Sequence, residues 1–252
     1  MSITEILARG KKIQSEFLDF IDSQEKIEEK YKNLITTLDD IKIRDNLNEF
    51  ESFLYLISSI INNHDRSSDF FSKIERIIIN FKEEILKYYS NLQIFNIFKD
   101  NKRILLFLIQ EKLLILDKNI LDIITQMEYL EQNYPQYLAP EVKPIITKEM
   151  IKQNEEKKEY LKQPVLHINF SALMYLLKNW IDDVLGEIPE NFEEKRKIGE
   201  NDEYILQLIR EDNIDEFISY VNQNNYPINK AIKSSIYETN LFLLKNSSID
   251  LI

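Results

Sequence analysis

The chain holds two histidines, His64 and His167, and no cysteine. Metal sites and nucleophilic catalysis draw first on those two residue types. Without cysteine there is no thiol nucleophile, no thiolate ligand and no disulfide. The two histidines lie in different regions, and neither has a second ligand at metal spacing. His64, followed by Asp65 and Arg66, reads as a loop histidine instead of a general base. Glycines stand only at positions 10, 186 and 199, which leaves no phosphate-cradling loop. Neither a nucleophile elbow nor a zinc-binding histidine pair occurs. Carboxylates do pair, as Asp39-Asp40, Glu83-Glu84, Glu155-Glu156 and Asp182-Asp183. Adjacent residues on a helix point apart, so these pairs read as solvated faces and not as an acid and a base. Lys195-Arg196-Lys197 has the charge to touch phosphate, but Glu193, Glu194 and Glu200 stand ready to offset it. The expectation is a chain with no catalytic residue, no metal site and no cofactor.

Net charge is −11 and the pI about 4.9. Nucleic acid and anionic membrane both need a basic face, so neither is an expected partner. The aliphatic patches Ile104–Ile109 and Leu113–Leu116 fall far short of the roughly 20 residues that span a bilayer. Met1–Gly10 carries Glu5 and no long apolar core, unlike a secretory signal. An intracellular, cytoplasmic protein is expected.

The elements that would position any site are helices. Three glycines and six prolines in 252 residues disfavour a turn-rich β fold. Ile6, Ile13, Phe17, Phe20 and Ile21 predict a first helix, and Ile27, Tyr31, Leu34, Ile35 and Leu38 a second. Ile43, Leu47, Phe50, Leu54, Ile57 and Ile61 alternate spacings of four and three, the seam of a helix packed lengthwise on another. Phe70, Ile74, Ile77, Phe81, Ile85 and Tyr88 repeat the theme in one helix from about Asp69 to Ser90. Leu92–Lys99 and Arg103–Leu116 form a further pair, and Ile120–Glu131 one more helix. Leu108-Ile109-Gln110-Glu111 echoes Leu208-Ile209-Arg210-Glu211. Three prolines between Tyr134 and Pro144 mark a boundary, since proline inside a helix loses a hydrogen bond and clashes. A charged helix from Lys148 to Leu161, capped by Thr147, and an apolar one from Phe170 to Leu185 are expected beyond it.

The stretch from Gly199 to Asn225 reads as two short helices joined by a polar turn. Asn201 or Asp202 caps the first, with Tyr204, Ile205, Leu208 and Ile209 in its stripe. Asn213 caps the second, with Glu216 three residues on as in a capping box and Ile214, Phe217, Ile218 and Val221 as its stripe. Helices this short are marginal alone and must stack on something. Ser235-Ile236-Tyr237-Glu238 is again a capping box in form, with Tyr237 standing 33 positions after Tyr204, the ankyrin period.

Asp202–Val221 is similar to an ankyrin-type helix–turn–helix. Gly199–Asn240 resembles a family of protist ankyrin-repeat proteins in which a helical region of unknown function precedes the repeats. The likeness extends to Asp40–Asn63, Phe71–Lys112 and Tyr134–Pro144. It implies a repeat scaffold that binds other proteins, without catalytic residues. Two features depart from the standard repeat. The Thr-Pro-Leu-His tetrapeptide is missing, and no glycine stands at the turn Glu211–Asn213.

The expected fold is therefore all-α, an elongated array of αα-hairpins leading into an ankyrin-like end. Residues 1–133 form an N-terminal helical region, 134–146 a connector packed on the surface, 147–198 a helical linker region, and 199–252 the start of a repeat array, incomplete at its C-terminus. The expected function is a protein–protein interaction scaffold whose partner the sequence does not name. Ile236, Leu241 and Leu244 are the candidate partner-binding residues of an open apolar edge. The alternative is an oligomerising bundle that pairs chains through the 43–61 and 70–88 seams.

Overall fold

Apolar side chains recurring every three or four positions commit a chain to helices. The computed structural model bears this out. It describes residues 3–64, 67–126, 132–145, 147–148, 190–201, 203–227 and 235–239. Among them there is no strand, so the fold is all-α. The chain forms two compact units, Met1–Ile115 and Leu116–Ile252.

The first unit holds α1 (Ile3–Ile21), α2 (Ile27–Asp40), a 3-10 turn (Ile43–Asp45), α3 (Leu47–Asn63), α4 (Phe70–Asn80), α5 (Lys82–Tyr88), α6 (Asn91–Phe98) and α7 (Lys102–Gln110). Helix α1 packs along α2 and meets α4, while α3 meets α6 and α6 meets α7. Ile13, Phe17, Phe20 and Ile21 are buried on α1, as their spacing requires. Leu34 and Leu38 are buried on α2, with Ile27, Tyr31 and Ile35 half-buried beside them.

Both seams are interior, but each is cut where the periodicity continues. Ile43 is buried yet sits in the 3-10 turn, and Leu47 is exposed at the start of α3. Asn46 accepts from the Glu49 N–H and starts the helix there. The helix expected from Asp69 to Ser90 breaks at Phe81, whose ring turns in to lie 5.5 Å from those of both Phe50 and Phe53. Arg44 stabilises the break. Its Nη2 donates to the Asn80 carbonyl at 3.2 Å, its Nη1 to Glu84, and its guanidinium lies 4.3 Å from the Phe81 ring centre. Phe50, Leu54, Ile57, Ile61, Ile74, Ile77 and Ile85 are all buried within this unit, so pairing between chains through them would require it to open.

Helix α7 ends at Gln110, not Leu116. Lys112 turns left-handed at φ 60. The Leu113 N–H then bonds back to Leu108 O at 2.8 Å and the Lys112 N–H to Ile109 O at 3.1 Å, a Schellman ending.

The junction of α1 with α4 is polar and buried. Lys73 is 3% exposed. Its Nζ donates to Ile21 O at 2.8 Å and Ser23 O at 2.5 Å, and lies 2.8 Å from Asp69 Oδ2. An ammonium at the end of α1 thus meets carbonyls that have no intrahelical partner and the negative end of the helix dipole. Burial alone would raise Asp69, but hydrogen bonds from Lys73 and Ser67 outweigh it and hold the carboxyl below its ordinary 3.8.

Lys73→Met is expected to cost about 2–4 kcal/mol in urea unfolding, because it strands two buried carbonyls and a carboxylate. A depressed carboxyl stabilises the fold above its unfolded pKa, and that contribution is lost as pH falls through the folded value. Stability should therefore drop below about pH 4, and Asp69→Asn should flatten that acid limb. An unchanged limb would remove Asp69 from the account.

Candidate functional site

Among the described residues, His64, Asp39 and Glu84 are structurally engaged. His64 Nε2 lies 2.7 Å from Asp22 Oδ1, joining the ends of α1 and α3. Asp39 pairs with Arg44 at 3.6 Å, and Glu84 pairs with the same guanidinium. Among the described residues no cluster of three or more His, Asp or Glu is placed to hold a metal. No described helix is long and apolar enough to cross a membrane. His167, the Phe170–Leu185 segment, Leu241 and Leu244 lie outside the described residues.

In the second unit, helix α8 runs from Lys118 to Ile124, capped by Asp117, which accepts from the Ile120 N–H at 3.0 Å. The proline-bearing stretch after it, expected as a connector packed on the surface, is helical, with one side buried and Lys143 and Pro144 exposed. Tyr134–Tyr137 is a short helix with Pro135 in its first turn, where a missing N–H does no harm. A second helix covers residues 139–145, again with a proline, Pro140, at its start. Tyr134, Tyr137, Leu138 and Val142 are fully buried. The Thr147 hydroxyl donates back to Lys143 O at 2.8 Å, and the charged helix expected from Lys148 to Leu161 lies, past Lys148, outside the described residues.

Arg196 holds this stretch to the helix Phe192–Ile198. The guanidinium is buried and grips Glu141 with two parallel bonds, Nη1 to Oε2 at 2.6 Å and Nη2 to Oε1 at 2.8 Å. Its Nε and Nη2 reach Glu193 Oε2 at 2.9 and 2.7 Å, and Nη1 donates to Tyr137 O at 3.3 Å. The Tyr137 hydroxyl donates in return to the Arg196 carbonyl. Burial works to lower the guanidinium pKa, but Glu141 and Glu193 outweigh it and hold it above the ordinary value. The middle cation of Lys195-Arg196-Lys197 is thus committed to carboxylates of its own unit. Sequence spacing pointed to Glu193; nothing in it pointed to Glu141.

Past Gly199, which ends the helix at φ 73, come the two short helices Tyr204–Arg210 and Ile214–Gln223. The first lacks the expected side-chain cap. Glu203 occupies the cap position, and Asn201 Oδ1 instead accepts from the Glu203 N–H at 3.0 Å. Arg210 fixes this approach by donating to Glu200 Oε2 at 3.1 Å and to Asn201 O at 3.2 Å. The second helix has the cap its sequence predicts: Asn213 Oδ1 accepts from the Glu216 N–H at 3.3 Å, and Asn213 Nδ2 donates to Glu216 Oε2 at 3.0 Å. At the turn between them Asp212 takes φ 49, the conformation in which glycine is usual. Asn213 N–H to Leu208 O at 3.0 Å and Asp212 N–H to Ile209 O at 3.2 Å complete the same Schellman ending as after α7.

The pair closes around Ile205 and Leu206, against which Phe217, Tyr220, Val221 and Tyr226 pack. The Tyr204 and Tyr220 rings meet edge to face at 5.1 Å. The helix Ile214–Gln223 is amphipathic yet buries no residue fully. Ile214 is 61% exposed and Ile218, one turn on, 51%. On the first helix Ile209 is 43% exposed.

Residues 235–239 do not form the expected helix start. They form a turn in which Tyr237 N–H donates to Ser235 Oγ at 3.2 Å. Ile236 is half-buried, and Tyr237, Glu238 and Thr239 are buried. Thr239 Oγ1 donates to Gly199 O at 2.6 Å, and Asn201 N–H to Glu238 Oε2 at 3.2 Å. Tyr237 packs on Phe192 at 5.8 Å between ring centres. Tyr237 is thus interior, whereas Tyr204, its expected counterpart, is 41% exposed. Among the exposed apolar residues, Tyr204, Ile209, Ile214 and Ile218 belong to the stripes that the sequence assigned to the two short helices.

A concavity lies in the first unit between α1 and α3. It has a volume of about 160 Å³ and is lined by Ile13, Phe53, Leu56 and Ser52, with Arg9 and Glu49 3.6 Å apart beside it. Gly10 lies at its wall, and a methyl group there would touch nothing.

Compared with protein-family models, curated proteins and solved structures, the chain matches none.

Arg196→Met is expected to cost about 2–4 kcal/mol, since it leaves Glu141 partly buried without its counter-ion. Arg196→Lys keeps the charge but not the fork and should recover only part of that loss. Urea melts of both variants check this, and a Lys variant as stable as the parent would show that charge alone suffices. Asn213→Ala should cost about 0.5–2 kcal/mol, read by thermal unfolding of the full chain.

Proposed function

We propose that the chain is a non-catalytic protein-interaction module and that Gly199–Pro227 is a divergent ankyrin-type repeat unit. The observation that carries this reading is the unpartnered face of the Ile214–Gln223 helix. Two isoleucines one turn apart stand more than half exposed on a helix whose other apolar residues pack on its neighbour. A repeat unit cannot bury both of its sides alone, and stacking on a neighbour or partner completes it. The helix–turn–helix supports the same reading, with Asp212 supplying the left-handed residue that a glycine would otherwise provide. Among the described residues, His64 and Glu84 are engaged in joining helices.

The test is a double substitution, Ile214→Ser with Ile218→Ser. Both side chains are exposed, so helix content should be unchanged and stability should stay within about 0.5 kcal/mol of the parent. Proteins retained by the immobilised parent chain should be released by the variant. Retention of the same proteins at the same strength by both would overturn this reading.

A further inference from the structure

An apolar helix face is matched by what surrounds it. Between Gly199 and Pro227 the chain carries seven carboxylates and one cation, Arg210. Arg210 is engaged with Glu200 and with the Asn201 carbonyl, so it faces inward to its own unit's backbone. Glu211, Asp212, Asp215 and Glu216 are all exposed, next to Ile214 and Ile218 in sequence. The helix has acidic residues in its first turn and no basic residue in its last.

That charge discriminates among occupants. A second copy would bring the same seven-to-one excess against itself, within a chain of net charge −11. Nucleic acid and anionic lipid would be repelled in the same way. An acidic partner would leave like charges facing each other across a closing interface, which costs several kcal/mol in general. A basic partner gains attraction at the rim while covering the isoleucines. The shape of the face narrows the choice further. Apolar residues at positions i and i+4 on a straight helix form a ridge, and another helix with apolar residues at the same spacing fits beside it.

Resting on the interaction reading above, we propose that the Ile214–Ile218 face binds a basic amphipathic helix of a partner protein. The partner's apolar stripe covers the two isoleucines, and its lysines or arginines meet the carboxylates of the Glu211–Glu216 segment. Charge sets the partner's sign, and the isoleucine pair sets its register.

The test uses the full chain and synthetic amphipathic helices of about 18 residues, long enough to hold a helical face. One peptide has leucine on one face and lysine on the other. A second replaces lysine with glutamate, and a third replaces leucine with serine. The leucine–lysine peptide should bind, and binding should weaken when salt rises from about 0.05 to 0.5 M. The Ile214→Ser/Ile218→Ser variant should bind it at least about tenfold more weakly with unchanged helicity. The other two peptides should bind far more weakly. Equal binding of the serine–lysine peptide would reduce the effect to charge alone and overturn the proposal. Undiminished binding by the double variant would place the peptide elsewhere and overturn it too. If the leucine–glutamate peptide binds as well and also loses affinity to the double variant, the basic partner is wrong while the interaction surface stands. If no peptide binds and the amides of Ile214–Val221 are protected from exchange in the lone chain, the chain covers its own face and both readings fall.

Discussion

A helix leaves its last carbonyls without intrahelical partners, and a chain built from short helices has many such ends to satisfy. This protein meets the demand with long cations sent in from elsewhere in the sequence. Lys73 reaches the end of α1, Arg44 the end of α4, Lys82 the Glu111 carbonyl after α7, and Arg196 the Tyr137 carbonyl. Each places positive charge at the negative end of a helix dipole while adding a charge-assisted hydrogen bond. In all four the same cation also meets a carboxylate at ion-pair distance: Lys73 with Asp69, Arg44 with Glu84, Lys82 with Glu111 and Arg196 with Glu141. Helix ends are therefore also tertiary joints. Breaking one releases a junction as well as a bond.

The second device is the left-handed turn made without glycine. Lys112, Asp212 and Asn225 each take a positive φ just past a helix. In each case the following residue bonds back to the same helix position: Leu113 to Leu108, Asn213 to Leu208 and Tyr226 to Val221. A non-glycine residue pays roughly 1–2 kcal/mol for that conformation, least for Asn and Asp, whose short side chains tolerate it. The echo between Leu108–Glu111 and Leu208–Glu211 is thus real at the level of a helix ending. The two endings lead to different surroundings. Leu113 and Leu114 go into a core, whereas Asn213 starts a helix that leaves two isoleucines in the open.

The exposed face depends on the buried clasp by a short path. Arg196 fixes the Phe192–Ile198 helix against residues 134–145, and Gly199 turns the chain out of that helix. The Gly199 carbonyl is held by Thr239, and Asn201 by Glu238 and Arg210. The first short helix then starts from a fixed base, and its partner packs on Ile205 and Leu206. A binding face on a short helix pair needs such support, because neither helix holds its shape alone. The same charges that brace the base leave the outer turn acidic, since Arg210 is used inward.

By itself the sequence determined what local physics can decide. Helical period fixed the all-α class and the inward faces of α1 and α4, because burial of an apolar stripe requires no knowledge of its neighbour. Asn213 with Glu216 gave the cap of the second short helix, because both partners lie within one turn. Tertiary structure decided everything that needed a distant partner. Periodicity could not show that the 69–90 helix breaks at Phe81, since the break depends on Arg44 and on the rings of Phe50 and Phe53. It could not show that Pro135 and Pro140 lie in helix starts packed beside a core, since Glu141 and Tyr137 are held by Arg196, 55 and 59 positions away. Nor could a stripe of isoleucines reveal its own exposure. Ile214 and Ile218 have the same spacing as buried residues elsewhere, and only the count of neighbouring elements separates a covered face from an open one.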